Sequence, residues 1–166
     1  MELKLVPVTE NNWRQATFLT TDPERKIPLD EQWIANNAFS LLQCVYDRDW
    51  DCRILMDADV AVGFVFYGYD REEDHYLLCR YMIDVKYQGR GYGKSFLPMV
   101  IDQICHQYGC RDVYTSVHDE NLHALHLYTT FGFQRTEKMD AEERVYVLRG
   151  VENGPNGNPE AMGAGE

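Results

Sequence analysis

No run of apolar residues in this sequence approaches the ~20 needed to cross a bilayer as a helix. Positive charge is scarce: 16 Lys and Arg stand against 27 Asp and Glu, a net charge of −11. Phosphate backbones are held by clustered cations, so this balance argues against nucleic acid as a partner. It favours a cationic partner, or it serves solubility alone. Paired cysteines are also missing. Cys44, Cys52, Cys79, Cys105 and Cys110 are odd in number and form no CxxC motif, which fits reduced thiols in a cytosol better than a disulfide framework. The opening MELKLVPVTE lacks the charged-then-apolar layout of a signal peptide, so the expected location is cytoplasmic. Metal ligands at matching spacing are absent as well. His123 and His126 lie three apart on an expected helix with no acidic or thiol ligand to complete a set, so they read as a solvated face and no metal is expected.

What is present is ordinary for a globular chain: 45% hydrophobic and 26% charged residues. The 166 residues fit one domain over 1–150, followed by a Gly/Pro/Asn/Glu-rich tail over 151–166 expected to be disordered. Residues 2–8 alternate as a first strand. With Thr9 as N-cap, 10–19 form a short helix with Trp13, Ala16 and Phe18 or Leu19 inward. The polar, two-proline stretch 20–29 is a loop. A second helix runs from about Asp30 to Tyr46, with Trp33, Ile34, Asn37, Ala38, Leu41, Leu42 and Val45 at helical spacing. Two β-rich runs around Asp57-Ala58-Asp59 make a hairpin. A strand at 76–85 is apolar enough to be central, and an amphipathic helix to Tyr108 carries Pro98, which removes one backbone donor and should loosen or kink the first turns. A strand at 112–118, a helix from Asn121 to Gly132 and a last strand at 143–150 complete the order β-α-α-β-β-β-α-β-α-β. That order predicts an α/β layout with a mixed, mostly antiparallel sheet.

The stretch YQGRGYGKS, 87–95, sits between the central strand and the amphipathic helix. A nucleotide-binding P-loop ending at Gly93-Lys94-Ser95 needs glycine at 88, which is Gln88. A dinucleotide fingerprint starting at Gly89 needs glycine at 94, which is Lys94. What survives is strand, glycine-rich turn, helix N-terminus. Glycines let backbone approach an anion closely, and the first-turn N–H groups with the helix dipole suit a pyrophosphate. An ordinary glycine-rich turn fits the loop taken alone equally well.

Gln88-x-x-Gly91-x-Gly93 after an apolar strand resembles the acetyl-CoA loop of the GNAT N-acetyltransferase superfamily. Asn121-x-x-Ala124-x-x-x-Tyr128-x-x-x-Gly132-Phe133 matches that superfamily's second signature. SLLQ, DADVAVGFVFYG and RYMIDVKYQGRGYGK look more particularly like bacterial diamine and polyamine N-acetyltransferases, over roughly residues 2–149. The resemblance implies a splayed central strand pair, with acetyl-CoA as cosubstrate and a homodimer. The pantetheine would pair with the backbone of Met82, Ile83 and Asp84. The pyrophosphate would lie on the turn opened by Gln88, on the amides of Gly89, Arg90, Gly91, Tyr92, Gly93 and Lys94, with Ser95 close. Asn121 would contact the cosubstrate, though it is also a good N-cap. Tyr128, otherwise a core tyrosine, would protonate the leaving thiolate.

The acceptor would be a small cationic amine, most simply a polyamine or diamine, with Asn37, Ser40, Gln43 and Tyr76 as candidate substrate-binding residues. Acidic residues Asp47, Asp49, Asp51 and the 70–74 turn could attract it, or simply be solvated. Some superfamily members carry a glutamate base eleven residues before the loop; here that position is Leu77. Proton removal then falls to water, to Tyr76 or to an acidic pocket residue. Another amine remains open as acceptor, whether an aminoglycoside-like antibiotic, an amino acid, or a protein N-terminus or lysine. So does a non-catalytic acyl-CoA-binding module.

Overall fold

A computed structural model describes residues 1–21 and 37–151. Seven strands and four helices follow in the order β1 (Leu3–Pro7), α1 (Trp13–Phe18), α2 (Asn37–Tyr46), β2 (Trp50–Asp57), β3 (Val60–Asp70), β4 (His75–Ile83), α3 (Tyr92–Tyr108), β5 (Val113–His118), α4 (Leu122–Phe131), β6 (Gln134–Asp140) and β7 (Glu143–Leu148). The sheet order is β1-β2-β3-β4-β5-β7-β6. Every neighbouring pair is antiparallel except β4 with β5. This is the mixed, mostly antiparallel α/β sheet expected. Residues 152–166, and with them nearly all of the expected tail, lie outside the described residues.

The sheet is covered on two faces. Phe96, Leu97, Val100, Ile101 and Ile104 of α3 pack with Leu55, Val65, Leu78, Val113 and Tyr146 on one face. Fully burying each such side chain contributes about 1.5–3 kcal/mol, which anchors α3 firmly. On the other face Ala16, Ile54, Phe64, Phe66 and Met82 meet Leu19, Leu41 and Trp50. The second cover lies over the β2–β4 half. The helix α3 runs unbroken through Pro98, so proline does not end it. The missing donor falls on an exposed position.

Several expected details are corrected. The first helix starts at Trp13 rather than residue 10. Asn12 is its N-cap position, and its Oδ1 accepts the Thr9 N–H at 2.7 Å, so Thr9 belongs to the turn before the helix. Trp13 is largely exposed and Phe18 is 83% exposed, while Leu19 takes the inward place. In α2, Leu42 and Val45 face outward, Val45 at 70% exposure, because the buried face carries Asn37 and Ser40 instead. Trp33 and Ile34 lie outside the described residues, as does most of the expected 20–29 loop. The strand β6 is an addition to the expected order. QRTEKMD is polar and almost wholly exposed, so its strand form comes from pairing with β7 rather than from an apolar alternation.

Candidate active site

The sheet opens between its two parallel strands. β4 and β5 are in register at Leu77↔Tyr114, and the Thr115 hydroxyl donates to the Leu78 carbonyl at 2.9 Å. Against β3, Phe66 faces Arg80 while Tyr67 faces Leu78, so Cys79 is the extra residue of a bulge. A bulge bends its strand and increases its twist. From Cys79 onward β4 has no ladder with β5 among the described residues. Close packing holds the other side: a Cβ on Gly63 would meet the Met82 carbonyl at 2.4 Å, so glycine there lets β3 lie tight against the diverging strand.

β4 ends in a capped turn. The Asp84 carboxylate accepts the Lys86 N–H at 3.0 Å and the Thr20 N–H at 3.0 Å, and its own N–H goes to the Val62 carbonyl at 2.9 Å. Gln88 donates to the Ile83 carbonyl at 3.0 Å. These contacts aim the glycine-rich turn. Gly89 and Gly91 have φ of 73° and 84°, and a Cβ on either would meet nothing. Conformation, not space inside the chain, demands glycine there. Gly91 caps α3, whose first internal bond runs from Ser95 N–H to Gly91 carbonyl at 3.1 Å. The N–H groups of Tyr92, Gly93 and Lys94 therefore have no acceptor within the helix and add to its positive dipole end. This is a cradle for an anion such as a pyrophosphate. Arg90 lies over the Tyr87 ring at 5.5 Å. The Tyr92 side chain turns inward to donate to Asp57 at 2.6 Å, leaving only its amide for the cradle. Tyr81 of β4 donates to the Gly93 carbonyl at 2.6 Å and ties strand to helix.

The second signature forms α4. Asn121 is its N-cap, accepting the Ala124 N–H at 3.2 Å. Gly132 ends it at φ 119° with its N–H on the Tyr128 carbonyl at 3.1 Å. Tyr128 is 6% exposed and packs edge-on against Phe133, with ring centroids 5.2 Å apart. Burial pushes its phenol well above the usual range; the Thr115 hydroxyl opposes this, and the charges of Glu143 and Cys79 reinforce it. The phenol therefore keeps its proton at neutral pH and can donate it to a departing anion.

The four candidate substrate-binding residues do not come together. Asn37 donates to the Ala16 and Leu19 carbonyls at 2.8 and 3.2 Å and accepts from Arg80 at 2.8 Å, so it locks α1, α2 and β4 to each other. Ser40 is buried and Gln43 half-buried along the same helix. Tyr76 is on the opposite face, stacked on Tyr108 at 5.0 Å. His123 and His126 are exposed on α4. The acidic stretches line a cleft of about 350 Å³ with Asp47, Asp49, Asp70 and Glu72, where Arg71 pairs with Asp49. Leu77 lines a smaller cavity with His75, Ser116 and Asp140. Sequence reasoning missed Thr115, Ser116 and Glu143. Strand alternation alone marks them only as ordinary β residues; the register of β5 against β7 brings Ser116 to Glu143, and Thr115 on the other face reaches β4.

A family model described as Acetyltransferase (GNAT) family matches residues 9–133, most of the chain. The chain belongs to the GNAT acetyltransferase family. A spermine/spermidine N(1)-acetyltransferase of Bacillus subtilis strain 168 is 38% identical over 93 residues, 52% of this chain and 61% of that protein. The match thus spans about three-fifths of the relative's length. A probable spermine N(1)-acetyltransferase of Bacillus subtilis subsp. natto matches to the same extent. Among solved structures, an acetyltransferase from Thermus thermophilus is 20% identical with a TM-score of 0.71, covering 90% of this chain and 97% of that one. Spermidine N-acetyltransferase from Vibrio cholerae, in complex with CoA and spermine, is 16% identical with a TM-score of 0.70, covering 90% and 96%. An N-acetyltransferase from Thermoplasma acidophilum in complex with coenzyme A is 14% identical with a TM-score of 0.69, covering 90% and 99%. These structural likenesses show that this GNAT chain has the fold of those enzymes.

Proposed function

We propose that this protein transfers the acetyl group of acetyl-CoA directly to a primary amine of a small polycation, a polyamine or diamine. The observation that carries this reading is one arrangement: β4 loses its ladder with β5 beyond Leu77, runs on into the glycine-capped end of α3, and Tyr128 is buried against Thr115 of β5. Bound there, acetyl-CoA supplies a thioester carbonyl open to attack. The amides of residues 89–94 hold its pyrophosphate. Its pantetheine arm runs along β4 at Met82 and Ile83, whereas Asp84 is committed to the turn it caps. Tyr128 gives the leaving sulfur its proton. A free thiol has a pKa of about 8.5, below that of a phenol, so Tyr128 assists the departure by hydrogen-bonding to the sulfur and gives up its proton as the amide nitrogen releases one.

Direct transfer, with no acyl-enzyme, agrees with the one cysteine at the bulge. Burial pushes the Cys79 thiol up to about 11, and a nucleophilic cysteine needs the opposite shift. The polyamine class is supported by the curated relatives and by the net charge of −11, which favours cations.

The test is acetyl-CoA-dependent thiol release with putrescine, spermidine, spermine, lysine, an aminoglycoside and an N-terminal peptide as acceptors. Turnover is expected on the linear polyamines. Tyr128→Phe keeps the ring packing and should lower kcat about a hundredfold, the lower end for a proton-transfer group, with acetyl-CoA affinity unchanged. Silence on every amine would remove the reading, and turnover confined to the aminoglycoside or peptide would remove the polyamine class.

A further inference from the structure

Leu77 stands where a proton acceptor for the amine is expected, and leucine takes no proton. Its side chain lines a cavity whose walls include Ser116 of β5 and Val145 of β7. The β5/β7 register sets Val145 opposite Ser116 and Glu143 opposite His118. Side chains alternate along strands, so Ser116, Val145 and Glu143 share this face, while Thr115 and Tyr146 point to the α3 side. The Ser116 hydroxyl donates to the Glu143 carboxylate at 2.6 Å. That bond draws the carboxylate from the hairpin end back toward the place where β4 and β5 part. Tyr128 flanks the same opening from the other face. Glu143 is close enough for its charge to act on both the Tyr128 phenol and the Cys79 thiol.

Other titratable groups face this carboxylate, and most of them are otherwise engaged. Glu73 is ion-paired with Lys138. Asp70 accepts the N–H groups of Glu72 and Glu73 in the β3–β4 turn. His75 lies flat on Tyr114 with centroids 4.1 Å apart, and burial holds its pKa below the usual value against the pull of Asp70 and Asp140. Asp140 is the direct cross-strand partner of Glu143 in the β6–β7 ladder and lines the same cavity, and His118, opposite Glu143 on β5, accepts the Glu120 N–H.

We propose that Glu143, steadied by Ser116, binds the ammonium group of the acceptor and accepts its proton. This rests on the amine-acetylation reading above. One proton of the ammonium passes to the Glu143 carboxylate and on to water. The freed nitrogen forms its bond to the acetyl carbon as the carbon–sulfur bond breaks. Tyr128 protonates the sulfur, and the second nitrogen proton restores the phenol. The products are the amide, the free thiol of coenzyme A and one proton in solution.

The experiment is steady-state kinetics of Glu143→Gln and His75→Gln with spermidine, alongside acetyl-CoA binding and melting temperature. Glutamine still accepts the Ser116 hydroxyl, so the fold and acetyl-CoA affinity should be kept. Glu143→Gln should lower kcat/KM for spermidine about a hundredfold or more. Its residual rate should climb with pH toward the amine pKa of about 10.4, because only amine already neutral in solution can then react. His75→Gln should stay within a few-fold of the unaltered protein. A Glu143→Gln enzyme with unchanged kcat/KM would overturn the assignment while leaving acetyl transfer standing. So would the loss appearing in His75→Gln instead. An unaltered protein that acetylates no amine would overturn the reaction and this role together.

Discussion

Gly91 separates two demands that usually coincide at a glycine. Its φ of 84° is costly for any side chain, yet a Cβ there would touch no other part of the chain. Gly91→Ala should therefore cost only about 1 kcal/mol of stability, the conformational penalty of the left-handed region. The methyl would also crowd whatever anion sits on the α3 amides. Acetyl-CoA affinity should fall at least about tenfold, equivalent to ~1.4 kcal/mol. Calorimetric titration and a thermal melt measure the two effects separately. Equal affinity for both proteins would mean that the turn holds no phosphate. The helix position of Tyr128, the N-cap position of Asn121 and the glycine turn were legible in the sequence because each is fixed within its own turn or helix. Asn37 was not: its three hydrogen bonds reach α1 and β4, which its helical spacing could not reveal.

Among the elements, β4 does most to place the site. It is paired to β3 along its length, bulged at Cys79 and released from β5 beyond Leu77. Gly63 holds the close approach on the β3 side. A Cβ there must displace the Met82 carbonyl and the side chains of Leu55 and Ile83, in a strand with no slack. Gly63→Ala should destabilise the protein by about 1–3 kcal/mol through overpacking, read as a drop in the denaturation midpoint. It should also weaken acetyl-CoA binding, because the displaced strand is the one along which the pantetheine arm runs. A stable variant with normal binding would show that acetyl-CoA binding does not depend on this spacing. The central strand itself was expected from its apolar run, but a bulge leaves no mark in hydrophobicity. The edge strand β6 escaped for a related reason: its conformation depends on β7, and its own residues are polar on both faces.

For the molecule as a whole, the excess of acidic over basic residues sets up a field that attracts polycations at long range. Charge-steered association weakens as salt shortens the screening length, from about 30 Å at 0.01 M to about 8 Å at physiological ionic strength. The kcat/KM for spermine should accordingly fall with added sodium chloride, and more steeply than for putrescine, which carries fewer charges. A salt series on both amines checks this. Parallel, flat profiles would confine the acidic balance to solubility. Among the described residues, no helix is long and apolar enough to cross a membrane.

By itself the sequence determined the order of most elements, the glycine turn between β4 and α3, and the helix that carries Tyr128. Each of these is encoded by neighbours along the chain: φ preferences, caps, and apolar spacing within one element. Only the tertiary structure decided that β4 parts from β5 at Leu77, that α2 turns Asn37 and Ser40 inward while Val45 faces water, and that Ser116 meets Glu143 across a strand pair. Those outcomes depend on pairing between segments tens of residues apart. Strand register and packing select them from several local patterns of equal merit.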